Sequence, residues 1–329
     1  MNSPQPIANL SLDLDNQWSY LKIHGDPGWE EFPSYLDQLV PRVLDCLEKQ
    51  GLKITFFIVG QDAALEKNHT ALRMISAAGH DIGNHSFSHE PWFHLYDRAR
   101  MESEIVRAEK PLTLIAGKRP VGFRGPGFSF SNTTAEVLEA RGYLYDASNF
   151  PTFLGPLARL YYLFHSRLTS GQRRERDKLF GGFKDGLRPI RPYRLPSTKG
   201  LLEIPVTTMP LVRTPIHFSY LQYLGTYSTS LALGYFRAAL GLCRLFGISP
   251  SLLLHPLDFL GSDDGVGLRF FPAMKISGKQ KRKFLSEALR ILCDEFKVIS
   301  VGDFAARILG QANASAAVAC PPPIRLAAE

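Results

Sequence analysis

Three short stretches carry side chains suited to metal-assisted hydrolysis: Asp13-Leu14-Asp15, His85-Ser86-Phe87-Ser88-His89 and Leu254-His255-Pro256. The two aspartates close a run from Ala8 to Asp15 in which apolar and polar residues alternate, as in a strand with one face buried. Residues two apart on a strand point the same way, so both carboxylates should emerge side by side at the strand's carboxyl end. One would ligate a metal while the other takes a proton. His85 and His89, four residues apart, reach a single ion from one helical turn or a tight loop. With Asp15 they make a set of two histidines and one aspartate that leaves a position open for water or substrate, as catalytic zinc sites do. Each piece also has a bland reading, since paired histidines arise by chance and Asp-x-Asp often marks a solvated turn. Their order and setting along the chain favour the site.

The elements that must position these residues alternate strand and helix. After the first strand, Tyr35 to Lys49 reads as an amphipathic helix ended by Gly51, Ile54 to Val59 as a buried strand, Ala63 to Ala78 as a helix and Asp81 to Asn84 as a short strand. Ala99 to Ala116 is helical with a kink expected at Pro111, and Val121 to Phe123 and Tyr143 to Tyr145 are short strands around a helix at Thr133 to Arg141. Further on come Leu201 to Val206, helical stretches within Phe218 to Phe246, a strand at Ser251 to Leu254, a helix over Gln280 to Phe296 and a strand at Val298 to Val301. Such alternation predicts an α/β fold whose parallel sheet closes into a distorted (β/α) barrel of seven or eight mostly parallel strands. Asp13, Asp15, His85, Arg124, Asp146 and His255 all fall at or just after predicted strand ends, where barrels of this kind gather their chemistry.

Taken in order, these motifs resemble those of the polysaccharide deacetylase family, also called the NodB-homology domain or carbohydrate esterase family 4. Ser11 to Asp15 is similar to the family's first motif, though with Asp-Leu-Asp in place of adjacent aspartates, and His85 to His89 matches its His-Ser/Thr-x-x-His at every fixed position. Arg124-Gly125-Pro126-Gly127 matches the third motif, Asp146 to Phe150 approximates the fourth, and Leu254-His255 matches the fifth; Ile54 to Gly60 and Gly79 to Asn84 look like family landmarks. The resemblance covers roughly residues 8 to 305 apart from 150–200. It implies a metal held by Asp15, His85 and His89, with zinc expected and cobalt or another divalent ion as alternatives. It further implies Asp13 as base, Arg124 pairing with Asp13, His255 as acid and the backbone N–H of Gly127 at the oxyanion. Asn149 stands where the family has the aspartate that orients the acid histidine, and Asp258 is an alternative orienting group. Trp18, Pro126, Phe128 and Leu254 are the implied substrate contacts. The implied reaction removes an N-acetyl or N-formyl group from an aminosugar; the alternatives are an amidohydrolase acting on a small cyclic amide or imide, and a catalytically impaired carbohydrate-binding relative.

Composition agrees with an enzyme of this sort. At 329 residues and 45% hydrophobic content the chain can bury a large core, and residues 1–310 are expected to form one catalytic domain. The formal net charge is +7, and residues 167–194 alone hold nine Arg and Lys against three acidic residues, so the basicity is local. This basic stretch lies in an irregular insertion at about 150–200 whose first part, Phe153 to Phe164, is apolar and aromatic. Together they suit peripheral contact with an anionic membrane or a lipid-linked sugar, whereas no nucleic-acid module accompanies the charge and nucleic acid is not expected as a partner. The four cysteines, Cys46, Cys243, Cys293 and Cys320, show no Cys-x-x-Cys spacing and point to neither a zinc knuckle nor a disulfide framework. No signal peptide or transmembrane stretch is read at the amino terminus or elsewhere, giving an expectation of cytoplasmic location, at the inner face of the membrane if the insertion binds lipid. Residues 311–329, small and proline-rich, are expected to be a disordered tail.

Overall fold

The computed structural model describes residues 5–155 and 183–310. Its organising element is β1 (Ile7–Leu14), buried along nearly its whole length. Ala8, Leu10, Leu12 and Leu14 join the main apolar cluster with the surrounding helices, which leaves Asn9, Ser11 and Asp13 on the opposite, interior face of the pleat. Around β1 run β2 (Thr55–Ile58), β3 (Asp81–Asn84), β4 (Gly122–Phe123), β5 (Tyr145–Asp146), β6 (Tyr193–Arg194), β7 (Leu202–Glu203), β8 (Ser251–Leu254) and β9 (Lys297–Ser300). The spatial order is β6-β7-β5-β4-β3-β2-β1-β8, with β9 paired to the beginning of β1. Every pairing is parallel except β6 with β7. Past β7 the chain returns to β8, where the Thr207 N–H donates to Ser251 O at 2.8 Å and the Ser251 N–H to Thr207 Oγ1 at 2.8 Å. The result is a curled, mostly parallel sheet with helices outside it, and the expected distorted (β/α) barrel is borne out, with eight strands in parallel pairings and a short antiparallel strand added.

The helices are α1 (Gln17–His24), α2 (Leu36–Glu48), α3 (Gly60–Ala64), α4 (His69–Ala77), α5 (Arg98–Ala116), α6 (Asn132–Ala140), α7 (Phe218–Gly225), α8 (Thr229–Leu245), α9 (Gly278–Glu295) and α10 (Val301–Ile308). In α2 the buried residues Leu36, Leu39, Val40, Val43 and Leu47 follow the i, i+3, i+4, i+7 spacing of one apolar face. Each large side chain so buried contributes roughly 1.5–3 kcal/mol. One helical expectation needs correction. The helix expected from Ala63 to Ala78 is broken into α3, a 3-10 turn at Glu66–Asn68 and α4, because Leu65 takes an extended conformation (ψ 117°). The helix expected from Ala99 to Ala116 is α5, which carries Pro111 inside it. Sequence patterning also missed α1, α10 and the two-residue β6. Cys46, Cys243 and Cys293 are unpaired among the described residues. The expected tail, most of the insertion's basic segment and Cys320 lie outside the described residues.

Candidate active site

Asp15 stands one residue beyond β1, and the Tyr35 hydroxyl donates to its backbone carbonyl at 2.6 Å, fixing the end of the strand. The following Asn16 caps α1 by accepting from the Gln17 N–H and hands its own amide to Asp62 Oδ1 at 2.7 Å. The Trp18 indole N–H reaches the same oxygen at 3.0 Å. Burial pushes the Asp62 carboxyl up to about 7 against these two hydrogen bonds.

The histidines occupy a tight loop after β3. Asn84 sets its first turn, since its side-chain oxygen accepts the Ser86 N–H at 2.9 Å while its amide donates to Ile105 O and Tyr143 Oη. Ser86 (φ 61°) and His89 (φ 52°) are left-handed, a conformation costly for residues with a Cβ. Three neighbours hold it. The first N–H groups of α3, at Gly60 and Gln61, have no partner inside their own helix and donate instead to Ser86 O and Phe87 O; the Glu104 carboxylate of α5 accepts from the Ser88 N–H at 2.7 Å and hydroxyl at 2.9 Å.

This loop brings the two rings to Asp15. His89 Nε2 lies 2.9 Å and His85 Nε2 3.4 Å from Asp15 Oδ1, and ligand atoms of the three residues all fall within 4.8 Å of one another. His85 Nδ1 donates to the Arg124 carbonyl at 2.6 Å, which leaves Nε2 as the nitrogen facing Asp15. Carbonyl-anchored imidazoles with a free nitrogen facing a carboxylate are the usual outer support of a metal site. His89 Nδ1 is buried and has no hydrogen-bond partner among the described residues. Burial alone would raise the Asp15 pKa, but the charges and hydrogen bonds of His89 and His85 outweigh it and hold the carboxylate well below its usual range. An anionic oxygen and two imidazole nitrogens suit zinc or a neighbouring divalent ion, so these residues fit the implied metal.

Asp13, inward-facing from the same strand, is held apart from that set. Arg124 Nη1 donates to Asp13 Oδ1 at 2.6 Å and to Ser11 Oγ at 2.7 Å, and Arg124 Nε donates to Ala147 O at 2.8 Å. The guanidinium has 0% exposure and lies over the Phe57 ring, and among the described residues the carboxylate it pairs with directly is Asp13. After Arg124 the chain must be glycine, because a Cβ on Gly125 would fall 2.0 Å from Ser129 O. Gly127, with φ 59°, then lines the cavity together with Phe128.

His255 enters from β8, across the same cavity. Its Nδ1 is 3.0 Å from Ser219 Oγ, and its backbone N–H donates to Asp258 Oδ2 at 2.8 Å. Burial raises the Asp258 pKa, offset in part by His255 and by a side-chain hydrogen bond from Ser219. Asn149, expected to orient this ring, is turned elsewhere: its amide donates to Tyr193 Oη at 3.1 Å, its carbonyl oxygen accepts from Arg188, and its N–H donates to Glu203 Oε1 at 3.0 Å. The physical reason is β7, which places Glu203 beside Asp146 and draws the 146–149 turn toward itself. Burial pushes both of those carboxyls up, Glu203 furthest.

One cavity of about 810 Å3 joins Asp13, Asp15, His85, His89, Gly127, Phe128, Asn149, His255 and Asp258. Trp18, Pro126 and Leu254, expected as substrate contacts, are buried behind it and do not line it. Trp18 instead packs edge-on behind His89, with ring centroids 6.4 Å apart. Residues the sequence did not single out take their place on the walls, notably Tyr20, Tyr220, Phe270 and Phe271, and Ser219 among the polar groups. His217-Phe218-Ser219, a polar pair two apart entering an otherwise apolar helix, was the available signal for the last of these.

A mostly parallel (β/α) barrel with an Asp-His-His donor set and a separate, arginine-held aspartate at its strand ends defines the class of protein. Residues 26–145 match the polysaccharide deacetylase family, and the resemblance read from the motifs is borne out over that stretch. The segment contains His85, His89 and Arg124; the fold adds Asp13, Asp15 and His255 from outside it. The chain is 33% identical over 150 residues to a peptidoglycan deacetylase of Helicobacter pylori, covering 43% of this chain and 49% of that protein. It is 36% identical over 102 residues to a chitin deacetylase of Pestalotiopsis sp, covering 31% and 34%. It thus spans about half, or less, of the length of these relatives. Among solved structures, one described as a polysaccharide deacetylase from Mycobacterium smegmatis superposes with a TM-score of 0.58 at 19% identity over 98% of both chains, which shows a shared fold.

Proposed function

We propose that this protein is a metal-dependent hydrolase that removes an N-acyl group, acetyl or formyl, from an aminosugar. The observation that carries the reading is the different setting of two aspartates at one strand's end: Asp15, just past β1, faces two imidazoles, while Asp13 pairs with a fully buried arginine. Bound at Asp15, His85 and His89, a divalent ion supplies Lewis acidity toward an acyl oxygen and lowers the pKa of water. The chain's own residues do the rest. Arg124 holds Asp13 in place, so Asp13 can take a proton from a water in the cavity as its oxygen bonds to the acyl carbon. Negative charge on the acyl oxygen is met by the Gly127 N–H. As the carbon–nitrogen bond breaks, His255 gives its proton to the departing amine, which otherwise leaves poorly. A carbohydrate-binding module would need neither this base nor this acid.

The relatives' names point to peptidoglycan and chitin as glycans bearing such groups, and the aromatic walls suit the faces of sugar rings. A lipid-linked aminosugar is the form favoured by the cavity's rim. Arg188 lines the cavity and accepts at its carbonyl from the Arg213 side chain; Leu187 beside the one, and Leu211 and Val212 before the other, are exposed. Apolar tips beside arginines suit an anionic lipid surface, and no described helix is long and apolar enough to cross a membrane. The test is mass spectrometry of zinc-loaded protein with N-acetylglucosamine oligomers and with lipid-linked N-acyl aminosugars. Loss of acetyl or formyl, abolished by chelation and restored by zinc or cobalt, is expected; full activity of metal-free protein contradicts the reading. Sedimentation with anionic vesicles, weakened by Leu211→Asp with Val212→Asp, is expected of the lipid-linked form, and indifference to vesicles removes it.

A further inference from the structure

Outside the motifs, α7 delivers one side chain to the acid end of the cavity. Ser219 Oγ lies 3.0 Å from His255 Nδ1, and the same hydroxyl faces the Asp258 carboxyl, holding its pKa down against burial. Asp258 in turn accepts the His255 backbone N–H at 2.8 Å, so the carboxylate is tied to the main chain of the residue whose ring meets the hydroxyl. The turn that carries them is braced from two helices: Gln222 Nε2 donates to Asp258 O at 2.8 Å, and Lys281 Nζ to Leu257 O at 2.7 Å.

The direction of these bonds follows from what each group can do. An ionised Asp258 only accepts, so the Ser219 hydroxyl donates to it and the hydroxyl oxygen is left to accept from His255 Nδ1–H. We propose that Ser219 is a positioning residue for His255, holding the ring as the Nδ1–H tautomer and coupling it to the charge of Asp258, the part Asn149 is turned away from. This rests on the hydrolase reading. With Nδ1 committed to Ser219, Nε2 is the nitrogen that carries a proton into the cavity.

Other charged and titratable groups face His255 from each neighbouring element. His217, just before α7, has its ring centroid 6.1 Å away; burial, with His255 adding to it, drives its pKa down to about 3, so it stays neutral. Lys281 on α9 lies beyond Leu257, while Asp13, Asp15 and Tyr20 stand across the cavity. Of these, Asp258 alone is joined to the ring through a hydroxyl.

Two readouts test the proposal. In metal-free protein, nitrogen-15 correlation spectra of His255 should show the Nδ1–H tautomer in wild type and in Ser219→Thr, and a mixture or the Nε2–H form in Ser219→Ala. In the zinc-loaded enzyme Ser219→Ala should lower kcat roughly tenfold with KM changed by less than about twofold, on the scale of losing an outer hydrogen-bond partner. Ser219→Thr should restore kcat. An unchanged tautomer together with an unchanged kcat in Ser219→Ala overturns the proposal. Absence of acyl release by the wild type would strike the hydrolase reading, while the tautomer spectra would still decide the place of Ser219.

Discussion

Arg124 carries a full charge with no exposure to water, and that fact separates the two aspartates. Removing one partner of a buried pair leaves the other uncompensated, so Arg124→Met should destabilise the fold by about 3–5 kcal/mol, read as a loss in denaturant midpoint. Asp13→Asn keeps an oxygen for Arg124 Nη1 but cannot take a proton. Its kcat should fall by a factor of about 10²–10⁴ while the folded protein remains, and a variant that kept wild-type turnover would remove Asp13 as base. At this scale much was legible. The period of two along β1 already placed both carboxylates, because a buried strand leaves no choice of face. The role of Asn149 was not legible, because it depends on Glu203, more than fifty residues away, across a strand pair two residues long.

Among the elements, α3 is short yet its start fixes the histidine loop. A Cβ on Gly60 would sit 2.6 Å from Ala108 Cβ on α5, with no flexible atom to yield. Gly60→Ala should therefore cost roughly 1–3 kcal/mol through overpacking, and should weaken metal binding as well, since the Gly60 N–H holds Ser86 O. A second tie links α5 to the end of α6. Burial would raise the Glu109 pKa, but hydrogen bonds from Arg141 and Arg119, at 2.7 and 2.8 Å, outweigh it and lower it. A carboxyl lowered on folding adds stability above its unfolded pKa and loses it as pH falls through the folded value. The difference in Tm between wild type and Glu109→Gln should thus be largest near neutrality and close as the solution is acidified; a gap that widens in acid contradicts the pairing. Elements of regular period, such as α2 and β8, were read within a residue or two, whereas the break at Leu65 was not, because the Asn68 and His69 side chains take the Asp62 and Ala63 carbonyls at the end of α3.

At the scale of the whole molecule, five strand ends, those of β1, β3, β4, β5 and β8, meet because a parallel barrel puts all its carboxyl ends on one rim. That convergence was implicit in strand–helix alternation, while the aromatic wall of the cavity was not, since Tyr20, Phe270 and Phe271 come from a helix and a loop with no strand signal. A ligand that binds only the folded chain stabilises it, so zinc at a hundredfold excess over its Kd should add about 2.7 kcal/mol, seen as a rise in Tm. The measurement that bears most directly on the central claim is calorimetric titration of zinc into chelator-stripped wild type, Asp13→Asn and His85→Ala. Wild type and Asp13→Asn should each take up one equivalent with similar affinity and His85→Ala should bind far more weakly; an Asp13→Asn protein that no longer binds, or a His85→Ala protein that binds like wild type, would contradict it.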